Sequence, residues 1–136
     1  MRILGIDYGE VRTGIAVSDL MGWTAQAVGT VHERDPEKVA DAVLEHIKTL
    51  NAEKIVIGLP KNMDGTEGFR TEATYKFADI LKTKTTLPIE FWDERLSTVA
   101  ATRTLNETNV RGKKRKNVID TVAATYILQG YLDKKF

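Results

Sequence analysis

Four acidic residues stand where apolar or helical runs begin or end. Asp7 closes the first apolar run, Asp93 and Glu94 close the last, and Asp120 falls in the first turn of the predicted final helix. Carboxylates scattered in this way suit a divalent cation acting on a phosphodiester, which draws hard oxygen ligands from several elements, polarises the phosphate and activates water. Neighbours on a strand point to opposite faces. Asp93 and Glu94 therefore cannot both enter one site while the strand continues, and we assign Glu94 as ligand and Asp93 as an outer partner or alternate.

Each acid also has a plainer explanation. Asp before Tyr8-Gly9 suits a turn. A strand-end acid can pair with Arg12 or Arg95 at little energetic consequence. An acid in a first helical turn is stabilised by the helix dipole. For Asp120 the surroundings favour chemistry: Val122, Ala123, Tyr126 and Ile127 make an apolar stripe, and small Ala123 and Ala124 let the helix lie close to a sheet.

Phosphate contacts have candidates too. The stretch from Asp7 to Gly14 reads as a hairpin with glycines at 9 and 14, open to close approach of a phosphate. Arg12 and Arg95 sit beside proposed ligands, and a guanidinium fork suits phosphate. Arg111, Lys113, Lys114, Arg115 and Lys116 form a basic loop ahead of Asp120. Net charge is only +1, so local sign rather than total charge would steer a polyanion. No aromatic stacking platform is evident, and Trp23 and Trp92 read as core or edge residues.

The elements that must position these groups follow from periodicity. Strands are predicted over 2–8, 13–19 and 23–31, with short antiparallel links. Asp35-Pro36-Glu37 opens a helix carrying Val39, Val43, Ile47 and Leu50. A buried strand over 54–60 and a polar loop over 61–68 come next. A helix with Phe69, Ala73, Phe77, Ile80 and Leu81 on its apolar side leads to a strand over 88–94. A short helix over 97–106, the basic loop and a helix from Asn117, its cap, to Leu132 complete the order. Right-handed crossovers make the first, fourth and fifth strands parallel, with their C-terminal ends along one edge, where α/β sheets bind ligands. Asp7, the Gly58-Leu59-Pro60 corner and Asp93-Glu94 fall there.

Composition sets the outer limits. The 136 residues are 42% apolar and 29% charged, as expected of a globular domain, and cysteine is absent, which excludes thiol nucleophiles and zinc fingers. No apolar run is long enough for a membrane span. The chain enters a strand at once with no signal-peptide pattern, so a cytoplasmic location is expected. With no repeat or linker, residues 1–136 read as one domain.

Together the motifs Asp7-x-Gly9-x-x-Arg12-x-Gly14-x-Ala16, Gly58-Leu59-Pro60 with Gly65, Asp93-Glu94-Arg95-Leu96-Ser97-Thr98 and Ile119-Asp120-x-x-Ala123-Ala124-x-x-Ile127-Leu128 resemble the YqgF family of RuvC-like proteins. The resemblance spans residues 3–128. It implies an α/β, RNase H-like mixed five-stranded sheet of order 3-2-1-4-5 with helices on both faces. It also implies a nuclease that matures the 5′ end of pre-16S rRNA, with Asp7, Glu94 and Asp120 as catalytic acids holding Mg²⁺ or Mn²⁺. Nucleic-acid contacts are expected at Arg12, Arg95, Arg111, Lys113, Lys114, Arg115 and Lys116, in a monomer or weak dimer. The alternatives are a Holliday junction resolvase acting on branched DNA and a non-catalytic nucleic-acid-binding factor. The fourth strand ends without the acid that true junction resolvases carry, and the last helix offers only Asp120. The 7–14 hairpin also resembles the phosphate loop of actin-like ATPases, but those close two such domains around a nucleotide.

Overall fold

The computed structural model describes residues 1–62, 64–96 and 113–135; of 113–122 and 135 it describes the helical backbone alone. Strands β1 (Ile3–Asp7), β2 (Arg12–Ser18) and β3 (Ala25–His32) form an antiparallel meander. Strands β4 (Lys54–Leu59) and β5 (Ile89–Asp93) extend it in parallel beside β1, giving the expected order β3-β2-β1-β4-β5.

Helices α1 (Pro36–Leu50) and α2 (Phe69–Lys82) cover one face. The Asp35 carboxylate accepts from the Glu37 amide at 2.9 Å and Pro36 occupies the first turn, so α1 starts where its cap signals say. It ends at Asn51, whose φ of 55° is the left-handed conformation that turns a helix off. Val39, Val43, Phe77 and Leu81 pack there on Leu4, Ile6, Ile15, Ile55 and Ile57. The other face carries Ile3, Ala16, Val56 and Trp92 under α3 (Lys113–Lys135), which contributes Ala123, Ala124, Ile127, Leu128, Tyr131 and Leu132. None of the described helices is long and apolar enough to cross a membrane.

Two glycines set how close α3 lies. A Cβ on Gly5 of β1 would stand 2.7 Å from Leu128 Cβ and 3.3 Å from the Ala124 carbonyl oxygen. A Cβ on Gly58 of β4 would stand 2.4 Å from Ile127 Cδ1. The helix backbone thus rests almost on the sheet, as the small residues at 123 and 124 lead one to expect.

Four expectations need correction. The last helix begins at Lys113, not at Asn117. Residues 113–116 are therefore helical rather than loop, and Asp120 lies two turns in instead of in the first turn. Lys and Arg are good helix formers, and that local propensity outweighs both the Asn117 cap signal and the adverse placement of cations at a helix start. The fifth strand stops at Asp93, and Glu94 opens a 3₁₀ turn over Glu94–Leu96. Phe69, expected on the apolar side of α2, is 78% exposed. Tyr126 lies mostly outside the buried stripe of α3 and is exposed. The predicted short helix over 97–106 and Arg111 lie outside the described residues.

Candidate active site

Asp7 is the last residue of β1 and is only 4% exposed. Strand alternation puts it on the same face as Ile3 and Gly5, under α3. Its partner across the ladder is Gly14 of β2. On its other side, β1 and β4 pair up to Ile6–Ile57, so Asp7 lies alongside Gly58 one residue further on.

Glu94 reaches the same place from β5. It is 4% exposed and both carboxylate oxygens are buried. A Cβ on Gly58 would meet Glu94 Cγ at 3.3 Å and the Ile127 side chain closer still. Glu94 therefore lies on the α3 face, across the bare backbone of Gly58 from Asp7. Neighbouring strands are about 4.8 Å apart, which brings the two acids to either side of one residue. The missing side chain at position 58 is the space into which the glutamate folds. A glycine near the end of a buried strand was the available sequence signal for such a close approach.

Asp120 approaches along α3. Tyr131 hydrogen-bonds Lys54 at the start of β4, whereas Ala124 lies over Gly5 in the middle of β1. The helix thus runs against the strands, and its N-terminal direction leads toward the edge that holds Asp7. Asp120 is one turn before Ala124, about 6 Å along the axis. Its side chain lies outside the described residues, as do those of Lys113, Lys114, Arg115 and Lys116. Among the described residues, no three acids or histidines converge as a metal shell; two carboxylates, Asp7 and Glu94, share the edge.

Asp93 is turned to other work. Its carboxylate accepts from the Arg95 amide at 2.9 Å and from the Arg95 guanidinium at 2.7 and 3.1 Å. The Arg95 bonds hold the Asp93 carboxyl below the usual range, and Asp93 in turn raises the Arg95 guanidinium. Arg95, expected at a phosphate, instead spends much of its fork on Asp93. The rest lies over the loop between β4 and α2, where its Nη1 would be 3.2 Å from a Cβ on Gly65. That loop is a tight hairpin: the Gly65 amide donates to Asn62 O at 2.9 Å and the Asn62 amide to Thr66 O at 3.0 Å. Gly65 has φ +90°, a conformation that favours glycine. The Asp64 carboxylate accepts from the Thr66 hydroxyl at 2.7 Å, which lowers its pKa. At the loop's base, the buried Thr71 hydroxyl donates to the Pro60 carbonyl. Arg12 opens β2, in the turn that follows Asp7 and Tyr8.

The edge therefore offers two buried carboxylates, a backbone hairpin at 9–12 and a pinned loop at 61–67. Two buried carboxylates at one sheet edge are hard oxygen donors of the kind a hard divalent cation takes.

Comparison with known proteins agrees with this architecture. A family model described as "RuvX: Holliday junction resolvase" matches residues 1–134. A protein of Clostridioides difficile (strain 630) named "Putative pre-16S rRNA nuclease" is 52% identical over 134 residues, covering 98% of this chain and 95% of the relative. One of Bacillus cytotoxicus with the same name is 50% identical over 137 residues, covering 99% and 100%. Among solved structures, Thermus thermophilus RuvC in complex with Holliday junction substrate superposes with TM-score 0.62 at 12% identity, covering 99% of this chain and 96% of that one. Fowlpox virus resolvase with its junction DNA gives 0.56 at 10%, covering 100% and 99%. At such low identity these two speak for the fold, a RuvC-like member of the RNase H class.

Proposed function

The chain belongs to the RuvX (YqgF) family, and on that premise we propose that it is a metal-dependent endonuclease that trims the 5′ end of precursor 16S rRNA in the cytoplasm. The observation that carries this reading is the burial of Asp7 and Glu94 on either side of Gly58. The rRNA substrate is supported by the names of relatives at about half identity.

Asp7 and Glu94, with Asp120 from α3, would hold Mg²⁺ or Mn²⁺. Once bound, the cation supplies Lewis-acid polarisation of the phosphate and activation of water. The chain's own groups orient the substrate. Arg12 and the cationic first turn of α3 hold flanking phosphates, where charge-assisted contacts are strongest. The closely packed sheet edge keeps the two carboxylates rigid, so little reorganisation is needed at the moment of reaction.

Branched DNA is the competing substrate, raised by the description of the family model. Junction resolution needs a two-fold dimer that presents two sites, whereas a single cut in one RNA strand needs one site. The test offers the purified chain a 5′-extended 16S precursor fragment and a four-way DNA junction, with Mg²⁺, Mn²⁺ or chelator. The expected result is metal-dependent cleavage of the RNA, lost in Asp7→Asn with RNA binding retained. Wild-type cleavage by Asp7→Asn would overturn the proposal; cleavage of the junction alone would transfer it to DNA.

A further inference from the structure

Tyr8 follows Asp7 but faces the other side of the sheet, where it stacks on Phe77 with ring centroids 4.4 Å apart and planes 11° from parallel. Beside it α2 begins with Phe69, the most exposed large apolar residue of the described chain. Two open hollows of about 190 and 250 Å³ share Tyr8, Phe69 and Ala73 as walls. The smaller also carries Arg34 and Arg70, with Glu10 as its acidic member. The Tyr8 backbone adjoins that of Asp7, so the groove and the candidate carboxylate lie at the same end of the sheet on opposite faces.

We propose that the groove takes an unpaired nucleotide of the substrate strand, its base against Phe69 and Tyr8 and its phosphate on Arg34 and Arg70. The inference rests on the nucleic-acid reading above and specifies the substrate: the strand is unpaired where it passes this end of the sheet.

Three features favour this occupant. Each hollow is smaller than the about 300–1,000 Å³ of sites that enclose a whole ligand, which suits one flat ring left open on a side. A base exposes its face for stacking only when it leaves the duplex, and aromatic platforms beside cationic groups are how proteins hold such strands. Across both hollows Arg34, Arg70 and Lys76 stand against Glu10 and Glu72, and each arginine offers a planar fork to phosphate.

The test measures binding by fluorescence anisotropy in chelator, so that cleavage plays no part. The probes are a short labelled single-stranded RNA and the same RNA as a duplex. Phe69→Ala is expected to weaken single-strand binding about tenfold, within the stacking contribution of one base, and to leave duplex binding unchanged. Phe69→Trp restores the affinity, and Arg70→Ala lowers the salt dependence. Unchanged single-strand binding by a folded Phe69→Ala overturns the inference, and so does an equal loss on single strand and duplex. Neither result touches the nuclease reading, which falls separately if the wild-type chain fails to cleave the precursor with metal present.

Discussion

The Asp93 carboxylate grips the Arg95 guanidinium across the residue that separates them, with Nη2 2.7 Å from Oδ2 and Nε 3.1 Å from each oxygen. Glu94 is the residue enclosed. Its neighbours on both sides are held by each other, on the opposite side of the strand end from α3, and this leaves Glu94 one way to turn. The arrangement turns a pair of adjacent acids in two directions, Asp93 toward Arg95 and Glu94 toward Gly58 and the candidate site.

That pair makes a prediction about acid. The Asp93 carboxyl is held below its unfolded value of about 3.9. Its contribution to stability is therefore complete above that value and disappears as pH falls through the lower folded value. Asp93→Asn should lower Tm at neutral pH by an amount matching about 0.5–1 kcal/mol, and the gap to wild type should shrink below about pH 4. Thermal melts of both proteins across pH 2.5–7 check it; a gap that widens in acid contradicts the pairing.

The two tight glycines should respond differently. At Gly5 an added methyl meets Leu128 Cβ, which cannot swing away. Gly5→Ala should cost about 1–3 kcal/mol by overpacking. At Gly58 it meets the mobile tip of Ile127 and then Glu94 Cγ. Gly58→Ala should cost less stability but displace the glutamate, so cleavage should fall more than folding does. Denaturation curves alongside single-turnover rates would separate the two; full activity in Gly58→Ala would mean that Glu94 is not the working acid.

Metal should register as stability. A ligand that binds only the folded chain raises its Tm in proportion to the logarithm of concentration over Kd. Millimolar Mn²⁺ is expected to raise the wild-type Tm and to have a much smaller effect on Asp7→Asn and Glu94→Gln. Equal shifts in all three would show that the ion binds elsewhere.

The cationic first turn of α3 sets up a fourth test. Lys113, Lys114 and Lys116 begin the helix, where positive charge opposes the dipole. Their replacement by alanine should leave the fold as stable or slightly more so, while RNA affinity drops. The slope of log affinity against log salt should fall by roughly one unit for each phosphate that a lysine no longer neutralises. An unchanged slope would mean that these side chains do not touch the backbone of the RNA.

Much of this was legible in the chain itself. The apolar run at 54–59, the cap at Asp35 and the small residues at 123 and 124 each carry a local cause, and local causes can be read one residue at a time. Chain order and the handedness of crossovers then led to the parallel core of β1, β4 and β5 and placed Asp7 and Glu94 at its end. What the sequence alone left undecided depended on contacts distant along the chain. Competing local signals at 113–117 were resolved in favour of a longer helix. Phe69 was left outside because the face of α2 that meets the sheet is filled by Thr71, Thr74, Phe77, Ala78 and Leu81. Strand alternation separates Asp93 from Glu94 on paper; whether Asp93 also turned inward was decided by Gly58 and Ile127 beneath Glu94 and by Arg95, which holds Asp93. Burial and pairing are set by which surfaces meet, and that is a property of the folded chain.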